Sequence, residues 1–318
     1  MYYFDEGSGA IAAMSSVLGI TTAVVVLRFG LRTCRKVQFG LDDWSMAASL
    51  ILVWGLYAVA VHAILYAGTS PYWEYNAYTT GELMLWIGQL LYVSSITTVK
   101  VSVLSTYLRI FPTRFVKWGA GIIGTIAIMW FLSTILVSIF LCQPVARSWD
   151  LSIPGTCFDG KLFLLGNSIP NILTDMAILC LPIYEVYHLQ VSLAKKLGLC
   201  LVFMLGSLVV IVSIYRLRIL IEIHSNTSES DSELIMSMNE ISIWTVVEPA
   251  AGMISASLPS LGPLFSQPGR LLSCMRSKKA PKRDVRRAGP TLVTIGARDR
   301  QGGQESFRMG GSAMLRWL

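Results

Sequence analysis

The chain has 318 residues, 53% of them hydrophobic and only 14% charged, with a formal net charge of +7. A typical soluble domain is about 25% charged, so this composition argues against an ordinary soluble enzyme, a disordered chain or a disulfide-rich miniprotein. What remains is a multi-span membrane protein, consistent with a mean hydropathy of +0.58.

A helix crosses the hydrocarbon core with about 20 mostly apolar residues. Seven continuous apolar runs meet that length, roughly at 10–31, 43–67, 83–108, 118–142, 162–186, 197–221 and 241–264. Their continuity predicts helices rather than alternating barrel strands. The expected fold is all-α, a seven-transmembrane-helix bundle. A short outer N-terminus (1–9) precedes the membrane domain (10–265), and a basic tail (266–318) follows it.

The charges predict orientation. Residues 1–9 carry Asp5 and Glu6 and no base, whereas Arg28 lies near the end of the first run and Arg32, Arg35 and Lys36 follow it. That pattern reads as a signal anchor with its N-terminus outside and no cleaved signal peptide. The three expected inner loops then hold Arg32, Arg35 and Lys36, Arg109, Arg114 and Lys117, and Lys195 and Lys196, while the outer segments hold only Arg147 and Lys161. Seven spans place the tail in the cytoplasm. On this topology the sequon at Asn226 faces outward as an N-glycosylation site. Cys142 and Cys157 flank the third outer loop, on the oxidising side, where a disulfide persists.

Ionisable residues at bilayer depth are costly and are candidates for function. Lys100 lies in the third run, Asp175 in the fifth, Arg216 in the sixth and Glu248 in the seventh. Their neighbours recur at helical spacing. Asn167, Asn171 and Asp175 share one face. Glu240, Trp244, Glu248 and Gly252 share another, and Gln89, Tyr92, Ile96 and Lys100 a third. Pro170 and Pro249 interrupt the fifth and seventh runs beside these stripes. Such stripes should face the bundle interior, where Lys100 can pair with Asp175 or with Glu248. They serve either to fix helix packing or to form a ligand or proton site.

Recognisable catalytic patterns are scarce. The three histidines, His62, His188 and His224, fall in different places, and there is no CxxC pair for zinc. The Gly166–Pro170 segment is only loosely like a nucleophile elbow, and no Walker-type phosphate loop occurs. Asp42 and Asp43 could ligate a metal, but a simpler role is as acidic residues favoured by the dipole at a helix N-terminus.

In order, the chain carries Arg28 and Arg32, Asp42-Asp43-Trp44, Lys100, Tyr107-Leu108-Arg109-Ile110-Phe111, Cys142-Gln143-Pro144-Val145 with Trp149 and Cys157, Asp175, Leu181-Pro182-Ile183, Leu189-Gln190, Lys195-Lys196, Gly206, Arg216, Trp244, Glu248 and Leu258-Pro259. This ordered set resembles the fungal rhodopsin-like domain family, which includes satratoxin-cluster membrane proteins and is related to pathogenicity-type fungal receptors. The resemblance implies a seven-span, receptor-like membrane protein, with some members tied to secondary metabolism. With about nine residues before the first run, the cysteine-rich outer module of some pathogenicity receptors is not expected.

The leading functional expectation is a receptor-like protein that binds a small apolar molecule, with Arg109 as a switch contact at the inner face and an unidentified signalling partner in the cytoplasm. The alternatives are a small-metabolite transporter, with Asp175, Glu248 and Lys100 as proton or substrate groups, and a membrane-embedded biosynthetic enzyme, with Asp175 and Glu248 as acid and base. In the tail, residues 270–287 carry eight Lys/Arg and one acid. This segment is expected to meet anionic inner-leaflet lipid, with Cys274 as a palmitoylation candidate. From residue 265 onward there are 12 bases and three acids, against 14 bases and 16 acids before it. The positive charge therefore marks orientation rather than a nucleic-acid partner.

No cofactor is expected. A retinal Schiff base needs a pocket lysine, which microbial and animal opsins place on the seventh span, and the seventh run here has none. Purified protein supplied with retinal is expected to show no visible absorbance band; a band that disappears in Lys100→Ala would contradict this.

Overall fold

The computed structural model describes residues 2–69, 75–150, 152–158, 160–188, 193–225 and 231–266. Its elements are α1 (Tyr2–Cys34), α2 (Leu41–Thr69), α3 (Tyr75–Ile110), α4 (Arg114–Ile139), β1 (Cys142–Gln143), β2 (Thr156–Cys157), α5 (Gly160–His188), α6 (Leu193–Ser225) and α7 (Asp231–Ser266). The helices lie in one unit, Met1–Lys278. The remaining unit, Lys279–Leu318, lies outside the described residues, as do Asn226 and Cys274.

Among the described residues, five helical segments are long and apolar enough to cross a membrane: Gly7–Cys34, Leu41–Leu65, Thr79–Ile110, Arg114–Ile139 and Glu240–Leu261. The burial pattern is reversed from that of a soluble protein. Ile51, Met129, Leu136, Leu173, Met204 and Ile211 are exposed, whereas Arg28, Asp43, Lys100 and Glu248 are buried. Exposed apolar area on this scale suits lipid and not water.

Local signals set the helix ends. Thr113 caps α4 by accepting from the Val116 N–H at 3.4 Å. At the end of α1, Lys36 takes φ 53. This left-handed residue lets the Val37 N–H reach back to the Arg32 carbonyl at 3.1 Å. Asp42 and Asp43 occupy the first turn of α2.

Successive helices are neighbours, and α7 closes the ring onto α1. α3 also meets α5 and α7, so α3 and α7 are the central pair. Gly252 permits their close approach: a Cβ there would lie 2.8 Å from Val99 Cγ1. The main apolar core joins Met14 and Leu18 of α1, Met46 and Val53 of α2, Tyr92 and Val93 of α3 and Met253 of α7, among others.

At the end of the bundle where α4 leaves and α5 enters, β1 and β2 pair antiparallel with Cys142 opposite Cys157. These two cysteines form a disulfide. Gly155 is required in this hairpin, because a Cβ there would run into the Gln143 carbonyl. Trp149 then packs on Trp86 of α3 at 5.5 Å between ring centroids, and Trp86 Nε1 donates to the Ser138 carbonyl.

Gly252→Ala is expected to destabilise the bundle by roughly 1–3 kcal/mol through overpacking against Val99. Gly19→Ala, where a Cβ would meet nothing within 4 Å, should leave stability unchanged or raised. Thermal unfolding in detergent compares the two; equal melting of Gly252→Ala and the parent would show that α3 and α7 have room to spare.

Candidate functional site

Charged side chains from four helices meet in the interior of the bundle. Lys100 of α3 is 3% exposed. Its Nζ lies 3.1 Å from Asp175 Oδ1 of α5 and donates to Asn171 Oδ1, the Asn171 carbonyl and Thr174 Oγ1 at 2.7, 2.9 and 2.5 Å. The ammonium also sits 5.4 Å from the Trp130 ring centroid of α4. Of the two acids within expected reach of Lys100, the structure pairs it with Asp175.

Glu248 of α7, 1% exposed, pairs with Arg216 instead. Arg216 Nε lies 3.5 Å from Glu248 Oε2, an ion pair without the alignment of a hydrogen bond. The carboxylate is held by three donors: Tyr92 Oη of α3 at 2.7 Å, Asn171 Nδ2 of α5 at 2.9 Å and Ser213 Oγ of α6 at 2.5 Å. Arg216 also stacks on the Tyr92 ring, with Cζ 4.0 Å from its centroid. Ser213 lies 3.4 Å from Asp175 Oδ2 as well, so it bridges the two ion pairs. With Lys100 and Arg216 against Asp175 and Glu248, the network has no net formal charge.

Other expected site residues lie at its edges. Asn167 is buried and its carbonyl accepts from Trp130 Nε1 at 3.0 Å, but its Oδ1 meets no partner. Trp244 packs edge-on against Tyr215 at 5.0 Å, and Tyr215 donates to Glu240. That contact engages Trp244 with α6, apart from the groups that bind Glu248.

A second charged cluster joins α1, α2, α3 and α7. Arg28, fully buried, donates to Asp42 Oδ2 at 2.8 Å and to the Ala256 carbonyl of α7 at 2.5 Å, and it pairs with Asp43 at 3.4 Å. Arg32 pairs with both Asp42 and Asp43. Ser102 of α3 donates to the Asp42 carbonyl at 2.7 Å. Arg109, whose side chain is 39% exposed, completes the cluster by contacting Asp42 Oδ1 at 3.3 Å and the Gln38 carbonyl at 3.0 Å. The acids at the start of α2 are therefore ligands for guanidinium groups as well as favourable charges at a helix N-terminus. Sequence reasoning assigned Arg28 and Arg32 to topology and missed this clamp. The available signal was an i, i+4 arginine pair facing two adjacent acids across a short connection.

α7 carries both networks, with Glu248 and Ala256 separated by roughly 12 Å along its axis. Each network is made mostly of bonds between helices. Among the described residues, no three His, Cys, Asp or Glu side chains converge to hold a metal ion.

Lys100→Met would leave Asp175 buried without its cation, a change expected to destabilise by roughly 3–5 kcal/mol. The double variant Lys100→Met, Asp175→Leu should recover much of that loss. A thermal double-mutant cycle in lipid micelles measures the coupling; strictly additive losses would show that the two charges do not stabilise each other.

A model described as the fungal rhodopsin domain matches residues 27–267. The chain is 29% identical over 182 residues to an SAT4 family membrane protein of Emericella nidulans, covering 56% of this chain and 44% of that protein. It is 27% identical over 269 residues to the polyenoic acids biosynthesis gene cluster protein Ba17b of Metarhizium anisopliae, covering 79% and 71%. To the receptor GIN3 of Arthrobotrys oligospora it is 24% identical over 254 residues, covering 76% and 59%. The match thus spans less than half of the first of these relatives. No solved structure matches the chain. The chain is a membrane protein that belongs to the fungal rhodopsin domain family.

Proposed function

We propose that this protein is a seven-span, receptor-like sensor of a small apolar molecule, with its N-terminus outside and its basic tail in the cytoplasm. α5 and α6 coincide with the fifth and sixth apolar runs, which supports counting them as spans, and the Lys/Arg asymmetry supports the orientation. The observation that carries the sensing role is Glu248. A single carboxylate on α7 holds side chains from α3, α5 and α6, and α7 continues to the clamp that contains Arg109. A molecule that displaces one of these helices changes which donors reach Glu248. The resulting movement of α7 loosens the Arg28 and Arg109 contacts at the other end.

The relative named as a receptor supports this reading, and those named for biosynthetic clusters support a link to secondary metabolism. No retinal takes part in the proposal, since Lys100 already engages Asp175, Asn171 and Thr174. Anionic lipid at residues 270–287 is the proposed tail contact. A transporter is the second reading, favoured by two acids and two bases in the bundle interior. The host membrane is the plasma membrane or an endomembrane.

The test is an environment-sensitive dye on a cysteine placed at the exposed Lys117, in a chain whose Cys34, Cys180, Cys200 and Cys274 are serine. A small apolar metabolite from a screened panel is expected to shift the emission, and Glu248→Gln should abolish the shift. Unchanged emission across the panel, combined with proton-dependent solute flux in proteoliposomes, would replace the sensor with the transporter.

A further inference from the structure

Three buried polar atoms lie beside the interior charged network without hydrogen-bond partners. Asn167 and Ser168 of α5 are 3% and 2% exposed, and neither Asn167 Oδ1 nor Ser168 Oγ meets a partner. Gln89 Nε2 of α3 is buried in the same condition. All three occupy corresponding places. Asn167 and Ser168 precede Asn171 by about one helical turn, and Gln89 precedes Tyr92 by about one turn. Asn171 and Tyr92 are the residues through which α5 and α3 bind Glu248. Both helices run away from the end of the bundle that carries the β1–β2 hairpin, so the displacement, about 5 Å, has the same direction on each.

The surroundings define what these atoms can receive. Trp130 ties Asn167 to the network, since its Nε1 donates to the Asn167 carbonyl and its ring faces Lys100. Tyr92, Val93, Ile96 and Trp130 belong to one apolar core cluster. The charged groups next to it are balanced, two cations against two anions, so no net charge there recruits an ion. Gln89 Nε2 is a donor, Asn167 Oδ1 an acceptor, and the Ser168 hydroxyl serves as either.

We infer that this turn of α3 and α5 binds the polar end of an uncharged molecule that presents both a hydrogen-bond donor and an acceptor on an apolar body, a carboxamide or hydroxy ketone being the simplest forms. The inference rests on the sensing function proposed above and names its ligand class. A ligand carbonyl accepts from Gln89, while its N–H or O–H donates to Asn167 or Ser168. A bound molecule then touches the turns that carry Asn171 and Tyr92, which is how occupancy would reach Glu248.

The test uses three photoreactive probes of one medium alkyl chain with a terminal diazirine, ending in a carboxamide, a carboxylate or a trimethylammonium group. Each is photolysed with the full chain in lipid nanodiscs, and the labelled peptides are mapped by mass spectrometry. The carboxamide is expected to label the segments around Gln89 and Asn167 about tenfold more than either charged probe, and Asn167→Leu or Ser168→Ala should each reduce that labelling by a similar factor. Ser168→Ala removes only a hydroxyl, so it keeps the test open if Asn167→Leu fails to fold. Equal labelling by all three probes, or labelling unchanged in both variants, would assign these atoms to structural water only and overturn the inference. Selective carboxamide labelling together with a silent dye at Lys117→Cys would uphold the site and remove the sensing function.

Discussion

A charged side chain buried in a membrane-protein interior has no bulk water to solvate it, so each ionised group inside this bundle must meet its counter-charge across a helix interface. That constraint organises the molecule. Lys100 meets Asp175 between α3 and α5, and Arg216 meets Glu248 between α6 and α7. Ser213 joins the two pairs. The same requirement acts at the other charged cluster, where Arg28 and Arg32 of α1 are neutralised by the first turn of α2. Outward-facing positions such as Ile51 and Met129 are exposed and apolar, as lipid contact requires, and they leave polar chemistry to the interior.

Pairing of this kind specifies geometry more than it adds stability. Transferring ions out of water costs several kcal/mol each, and their attraction offsets that cost only when the remaining donors and acceptors are satisfied. Glu248 meets this condition with Tyr92, Asn171, Ser213 and Arg216 on three other helices. A carboxylate shared this way is sensitive to the relative placement of all four helices. Gly252, one turn along α7, lets α3 approach closely enough for the Tyr92 contact to form. The central position of α3 and α7 is therefore a packing result, and both helices contribute groups to both charged clusters.

Much of the candidate site was visible before the fold was known. The four ionisable residues stood out because each lies well inside a run of mostly apolar residues, and the four-residue spacing of Asn167, Asn171 and Asp175 placed them on one face. Partners were not legible. Lys100 could have met Glu248, and Trp244 looked like a member of the Glu248 stripe, yet Trp244 packs on Tyr215. Spacing along one helix gives angular position on that helix and says nothing about the depth at which a neighbouring side chain ends. The Arg28 and Arg32 clamp escaped for a different reason. Arginines at the end of a run are the ordinary mark of orientation, and only their burial against Asp42 and Asp43 reveals a second role.

By itself, the sequence determined that this is a helical membrane protein of the fungal rhodopsin domain family, and it determined which polar residues lie within its apolar segments. Those properties are sums over neighbouring residues: hydropathy over about 20 positions and an ordered series of short motifs. Tertiary structure alone decided that Lys100 belongs to Asp175, that Glu248 is shared among α3, α5, α6 and α7, and that Asp42 and Asp43 bind three arginines. The physical reason is that a buried charge selects its partner by distance and direction across helix interfaces, which are set by the rotation and packing of every helix at once.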